Sequence, residues 1–87
     1  MLNEFVCIGT NFFVECGQIA MVASLADLSD KTLLLKAYYE QKVLSVRSSS
    51  RPRTVVVLKD GTVVLTPVTV KTVLDRIHAA MPFGFII

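Results

Sequence analysis

The segment Thr54-Val-Val-Val-Leu-Lys-Asp-Gly-Thr-Val-Val-Leu-Thr66 decides the fold of this 87-residue chain. Two runs of β-branched residues flank Asp60-Gly61, a dipeptide typical of the type I′ turn in a two-residue hairpin loop. Such a loop would pair Leu58 with Val63. Both faces of this hairpin are apolar, so we expect a helix to cover one face and another element, with a neighbouring subunit as the candidate, to cover the other.

Short apolar runs elsewhere predict four more strands. Phe5–Ile8 and Phe12–Val14 flank a turn at Gly9-Thr10-Asn11 and read as a pair of strands. Ile19–Val22 follows the glycine that ends the second strand, and Val43–Val46 precedes a serine-rich segment. The strands therefore predict a small, mostly antiparallel sheet.

Two segments predict helices. Thr32–Lys42 has no glycine or proline and is rich in strong helix formers. Val70–Ala80 follows Thr69, a plausible N-cap. The residues predicted to share the inner stripe of the first helix are Leu34, Ala37, Tyr38 and Gln41. At least one of the adjacent tyrosines, Tyr38 or Tyr39, is expected in the core. The fold class is α+β, with residues 1–80 as a single domain and residues 81–87 as an apolar tail.

The basic residues are concentrated in one part of the sequence. Residues 41–59 hold five of the nine lysines and arginines and no acidic residue, although the net charge of the whole chain is only +2. Charges that serve only for solubility normally mix both signs, so this block indicates a binding segment for an anionic partner.

The segment Arg47-Ser-Ser-Ser-Arg-Pro-Arg53 is the strongest candidate site. The planar guanidinium groups of Arg47, Arg51 and Arg53 can donate paired hydrogen bonds to phosphate oxygens, and serine hydroxyls add single contacts. Pro52 favours an extended backbone, which places Arg51 and Arg53 on the same side. A solvated charged loop without a partner is the alternative interpretation of this segment.

Other classes of protein fit the sequence poorly. His78 is the only histidine, so a multi-histidine metal site is excluded, and a capping or packing role is expected for it. Cys7 and Cys16 have no metal or redox spacing, which predicts free thiols in a reducing cytoplasm. The apolar runs are too short for a transmembrane helix. We therefore expect a cytoplasmic protein that is no enzyme and has no cofactor, metal, membrane or small-molecule substrate.

The apolar content of the chain is high for its length. Hydrophobic residues make up 53% and charged residues 18% of the sequence, against roughly 45–50% and 25% in ordinary soluble domains. A small domain cannot bury all of these side chains. Exposed apolar patches usually form interfaces, so we expect a homo-oligomer.

The pattern as a whole resembles the RemA/RemB family of bacterial extracellular-matrix regulatory proteins. The similarity covers nearly the whole chain and is clearest in three stretches: Phe5-Val-Cys-Ile-Gly9, Arg51-Pro-Arg-Thr-Val-Val-Val-Leu58 and Val63-Val-Leu-Thr66. Arg51 and Arg53 match two arginines of the basic motif of that family, which typically reads Arg-Arg-x-Arg, while Ser50 stands in place of its first arginine.

The resemblance implies a DNA-binding transcriptional regulator of biofilm matrix genes. It implies a LytTR-like subunit that assembles into a ring, with arginines that meet the backbone of double-stranded DNA. The residues expected to contact DNA are Arg47, Ser49, Ser50, Arg51 and Arg53. The alternative function is an oligomeric scaffold or protein-interaction module that binds no nucleic acid.

Overall fold

The computed structural model of the chain describes residues 4–29 and 31–80. Its strands are β1 (Phe5–Gly9), β2 (Phe12–Glu15), β3 (Ile19–Ser24), β4 (Val43–Ser45), β5 (Thr54–Leu58) and β6 (Val63–Thr66), and its helices are α1 (Thr32–Tyr39) and α2 (Val70–Ala80). These elements confirm the predicted α+β class with two helices. The predicted tail at residues 81–87 lies outside the described residues.

The strands form two separate layers. β1 and β2 pair as an antiparallel ribbon, and the other four strands form a sheet in the order β3-β5-β6-β4. In that sheet β5 is antiparallel to both β3 and β6, whereas the short edge strand β4 is parallel to β6. The long hairpin therefore occupies the two central positions of the sheet.

The hairpin forms as predicted, but the predicted register is wrong by one residue. Val63 pairs with Val57 and not with Leu58. The amide of Gly61 donates to the carbonyl of Leu58 (N···O 3.0 Å), and only Gly61 of the Asp60-Gly61 pair has a positive φ, at 91°. The loop is thus the three-residue kind, a turn closed by one left-handed glycine, and a type I′ turn would need two such residues.

Both faces of the hairpin are buried within a single chain. Val56 and Val64 face a cluster formed with β1, β2 and α2. Val55, Val57 and Val63 face a second cluster formed with α1 and the loop before it. The expectation that a neighbouring subunit covers the second face was wrong, because the two helices pack on opposite sides of the sheet.

Helix α1 ends three residues earlier than predicted. The amide of Lys42 donates to the carbonyl of Ala37 (2.7 Å), and the amide of Gln41 donates to that of Tyr38 (3.1 Å). Gln41 has φ of 58°, so these bonds form a Schellman motif with a left-handed residue after the helix. Glycine usually holds that position, and its absence hid the helix end from the sequence.

The orientation of α1 also differs in part from the prediction. Ala37 is buried and Leu34 is half-buried, as expected. Tyr38 and Tyr39 are 69% and 80% exposed, so neither belongs to the core. Gln41 is exposed as well. The inner stripe of α1 is therefore narrower than the sequence suggested.

Helix α2 agrees with its predicted bounds and cap. The hydroxyl oxygen of Thr69 accepts a hydrogen bond from the amide of Thr72 (3.3 Å). Val73 and Ile77 are buried in the first cluster, whereas Leu74 on the same helix is 40% exposed.

Candidate anion-binding loop

Residues 47–53, here called the arginine loop, connect the edge strand β4 to the central strand β5. The loop crosses the end of β6, the strand that separates them. Just before it, the amide of Val46 donates to the carbonyl of Leu65 (2.9 Å). At its end, the amide of Arg53 donates to the carbonyl of Thr66 (2.9 Å), and the carbonyl of Arg53 accepts from the amide of Leu25 (2.9 Å). Both ends of the loop are therefore held on the sheet.

Every residue of the arginine loop is exposed. The residues expected to contact DNA, Arg47, Ser49, Ser50, Arg51 and Arg53, are thus all exposed. Within residues 4–29 and 31–80, the ion pairs are formed by lysines elsewhere, and no carboxylate pairs with the three loop arginines. Their charges are available to a ligand.

The serines of the loop have different surroundings. The hydroxyl of Ser48 accepts a hydrogen bond from the amide of Ser50 (3.1 Å), a local turn that shapes the middle of the loop. Ser49 and Ser50 are both exposed. Ser48 therefore shapes the loop, whereas its neighbours can face a ligand.

Two buried threonines support the foot of the loop, and sequence reasoning gave them no role. Thr54 donates from its hydroxyl to the carbonyl of Val68 (2.5 Å). Thr66 donates to the carbonyl of Ile8 (2.5 Å) and accepts from the amide of Val68 (3.2 Å). Both side chains are fully buried. The sequence did contain a sign of this role, because Thr54 begins β5 and Thr66 ends β6, and the other residues of these two strands are aliphatic.

The basic block of the sequence is divided by the fold. β4 and β5 run in opposite directions, so Lys42, before β4, lies near Lys59, after β5, at the far end of the sheet from the arginine loop. There Lys42, Lys59 and Lys36 line a polar pocket together with Glu40 and Asp60. The ammonium of Lys42 donates to the carbonyl of Asp60 (2.8 Å). Only the three arginines of the block remain in the candidate site.

One lysine from outside the basic block, Lys31, approaches the foot of the loop. The ammonium of Lys31 donates to the carbonyl of Leu25 (3.1 Å), the residue whose amide is bonded to Arg53. Its position in a segment with Asp27 and Asp30 hid this proximity, and Asp30 lies outside the described residues.

The remaining candidates for chemistry are the two cysteines and the histidine. Cys7 and Cys16 are free thiols, the first half-buried and the second buried. Burial, followed by the nearby carboxylate of Glu4, raises the pKa of the Cys16 thiol, which opposes the reactive thiolate. Among the described residues no group of three or more potential metal ligands comes together. His78 is exposed and takes part in an interaction.

No helix in the described part of the chain has the length and apolar character needed to cross a membrane.

The chain matches the model of a known protein family. The profile of a family described as RemA-like, extracellular matrix regulatory protein A-like, matches residues 5–77. The matched range runs from the first residue of β1 into the last turns of α2, so it includes the sheet and the arginine loop. The comparison with curated proteins gave no significant match.

Proposed function

Because the chain belongs to the RemA-like family of extracellular matrix regulatory proteins, we propose that it regulates matrix genes by binding double-stranded DNA through the arginine loop. The observation that carries the proposal concerns the exposure and the ion pairing of Arg47, Arg51 and Arg53. Their guanidinium groups are exposed and have no carboxylate partner within the described residues. Phosphates of the DNA backbone would supply the missing negative charge.

The supported ends of the loop favour this function over a simple solvated segment. Main-chain hydrogen bonds fix Val46 and Arg53, and Thr54 ties the start of β5 to Val68. A loop with fixed ends loses less conformational entropy when it binds, so more of the contact energy appears as affinity. Arg51 and Arg53 carry the main phosphate contacts, assisted by Arg47, Ser49 and Ser50.

A single arginine loop is a small site, so the proposal includes a homo-oligomer. Large apolar side chains are exposed on both sides of the sheet: Phe5 and Phe13 on the outer side of the β1–β2 ribbon, and Leu35 and Tyr38 on α1. Two distinct surfaces on opposite sides allow a head-to-tail interface, which closes into a ring when the rotation per subunit permits. Each added copy presents its loop to the same DNA and multiplies the affinity.

The subunit fold is proposed to be LytTR-like and the location cytoplasmic, following the family. The two free thiols fit a reducing compartment.

A charge-matched pair of double variants tests the proposal. Arg51→Ala with Arg53→Ala removes two charges from the arginine loop, while Lys36→Ala with Lys59→Ala removes two from the pocket at the opposite end of the sheet. In gel-shift assays the first variant loses binding to matrix-gene promoter DNA and the second retains it. Native mass measurements should give both variants the wild-type oligomer mass.

Equal DNA binding by the arginine variant and the wild type would overturn the proposal. Absence of binding by the wild type, in the presence of an intact oligomer, would leave a protein-interaction scaffold as the function.

A further inference from the structure

A fourth arginine lies outside the arginine loop, on helix α2. Arg76 is exposed, and its guanidinium donates a hydrogen bond to the main-chain carbonyl of Cys7 in β1 (Nη1···O 3.0 Å). A carbonyl is a neutral acceptor, so this bond orients the side chain and leaves its positive charge uncompensated. The bond also uses only one of the five N–H groups that a guanidinium carries. The other N–H groups of Arg76 can donate to an anion.

The lysine of α2 differs from Arg76 in its ion pairing. The ammonium of Lys71 pairs with the carboxylate of Asp75 at 2.9 Å. Within residues 4–29 and 31–80, no carboxylate lies within ion-pair distance of Arg76. The charge of Arg76 is therefore available to a ligand, whereas the charge of Lys71 is already balanced on its own helix.

Strand β1 brings Arg76 close to the start of the arginine loop. Cys7 lies two residues before Gly9 in this strand. A Cβ built on Gly9 would be 3.1 Å from the Cβ of Val46, and Val46 directly precedes Arg47. These short steps keep the Cα atoms of Cys7 and Arg47 within about 17 Å of each other.

Strand β1 is also tied to the end of the arginine loop. The carbonyl of Ile8, the residue after Cys7, accepts a hydrogen bond from the hydroxyl of Thr66 (2.5 Å). The carbonyl of Thr66 in turn accepts from the amide of Arg53 (2.9 Å). Arg76 is thus connected to both ends of the arginine loop through strands of the fold, which fixes its position relative to the loop.

The distance between Arg76 and the arginine loop suits double-stranded DNA. The major groove of B-form DNA is about 12 Å wide and has phosphates along both edges. Along each strand, one phosphate follows another about every 3.4 Å of helix axis. A duplex that lies on the arginine loop would therefore bring further phosphates within reach of Arg76.

The lysine-lined pocket at the opposite end of the sheet is a weaker candidate for a second anion contact. Lys36, Lys42 and Lys59 share that pocket with Glu40 and Asp60. The ammonium of Lys42 lies 4.0 Å from a carboxylate oxygen of Glu40. Much of the positive charge in the pocket is therefore balanced by carboxylates of the pocket itself.

We propose that Arg76 is a phosphate contact, and that the DNA-binding surface extends from the arginine loop across β1 to the side of α2. This inference rests on the proposed function, because it assigns a further residue to the same site. The bond to the carbonyl of Cys7 holds the guanidinium of Arg76 in place, and its remaining N–H groups donate to phosphate oxygens.

Arginine-specific modification of the natural side chain tests this contact without removing it. The oligomer is treated with phenylglyoxal with and without a duplex fragment of a matrix-gene promoter, and modification at each arginine is followed by peptide mass spectrometry. The control protein carries Lys36→Arg, which introduces an exposed guanidinium into the lysine-lined pocket. DNA should slow the modification of Arg51, Arg53 and Arg76 by similar factors and leave the introduced arginine as reactive as before.

The outcomes of this experiment separate the two proposals. Protection of Arg51 and Arg53 without protection of Arg76 would overturn this inference and leave the proposed function in place. Absence of protection at all arginines would overturn the proposed function, and this inference with it. Equal protection of the introduced arginine would also contradict the inference, because the effect would not be specific to one end of the sheet.

The salt dependence of binding separates a phosphate contact from a purely structural role. Arg76→Gln should make the slope of log affinity against log salt concentration less steep by about 0.9 for each subunit that contacts the duplex. Arg76→Lys keeps the charge and should keep the wild-type slope. Lys36→Gln removes the same charge at the other end of the sheet and should leave the slope unchanged.

Two results of the salt titration would contradict the inference. One is an equal slope for the wild type and Arg76→Gln. The other is an equal reduction by Arg76→Gln and Arg76→Lys, which would assign Arg76 a role only in joining α2 to β1. Circular dichroism and native mass measurements check that each variant is folded and assembled.

Discussion

Gly9 lies where the β1–β2 ribbon meets the foot of the arginine loop. A Cβ at this position would lie 2.5 Å and 2.8 Å from the two methyl carbons of Val46. Val46 is buried and its χ1 is restricted by β-branching, so it cannot move aside freely. We expect Gly9→Ala to lower the free energy of unfolding by about 1–3 kcal/mol, measured by urea denaturation.

The cause of that loss can be isolated by a second substitution. Val46→Ala removes the methyl groups that the new Cβ would meet, so the double variant should be more stable than the sum of the single effects predicts, by about 0.5–3 kcal/mol. Strict additivity would show that the clash with Val46 is not the reason.

Asp60 gives the hairpin loop a dependence on pH. The amide of Thr62 donates to its carboxylate (2.9 Å), and this bond, followed by one from the Thr62 hydroxyl, lowers the pKa of Asp60 below its ordinary value of 3.8. The contribution to stability is therefore complete above pH 3.8 and is lost as pH falls through the lower pKa of the folded state. Asp60→Asn should flatten this part of the acid denaturation curve, measured by urea titrations at pH values on either side of 3.8. An unchanged curve would contradict the assignment.

At the scale of elements, Thr66 joins the β1–β2 ribbon to the central sheet. Its buried hydroxyl bonds the carbonyl of Ile8 and the amide of Val68. Thr66→Val keeps the shape of the side chain but leaves the carbonyl of Ile8 and the amide of Val68 without this partner. The free energy of unfolding should fall by about 1–3 kcal/mol. The exposed Thr10→Val variant is the control and should change little. Hydrogen exchange should show faster opening of the ribbon in Thr66→Val, and equal protection in the two variants would contradict this role.

The sequence predicted the type and order of the elements because local patterns determine them. The valine runs around Asp60-Gly61 indicate a hairpin in any register, and Thr69 marks the start of α2 through its own side chain. The register depended on whether Asp60 takes a positive φ, which a local pattern does not fix. The end of α1 depended on a glutamine in a left-handed conformation, stabilised by bonds that form only after the chain turns.

The candidate site was predicted only as far as it is continuous in sequence. The five expected residues lie on one loop because seven consecutive residues contain them. The support from Thr54 and Thr66 and the approach of Lys31 come from other parts of the chain. Such contacts follow from the pairing of distant strands, and the sequence alone does not specify them.

At the scale of the whole molecule, the fold separates two basic clusters that the sequence presents as one block. The five residues of β5 span about 17 Å at about 3.4 Å per residue, with the arginine loop at one end and the lysine-lined pocket at the other. Screening at physiological salt acts over about 8 Å, so the two clusters interact weakly with each other. DNA that binds at the arginine-loop end of the sheet would therefore meet the arginines and not the lysines of the pocket.

The salt dependence of DNA binding tests the central claim most directly. Each phosphate contact contributes about −0.9 to the slope of log affinity against log salt concentration on duplex DNA. For the wild-type oligomer we predict a steep negative slope, reduced by Arg51→Ala and by Arg53→Ala and unchanged by Lys36→Ala with Lys59→Ala. A slope near zero for the wild type, or one that only the lysine variant reduces, would contradict the account.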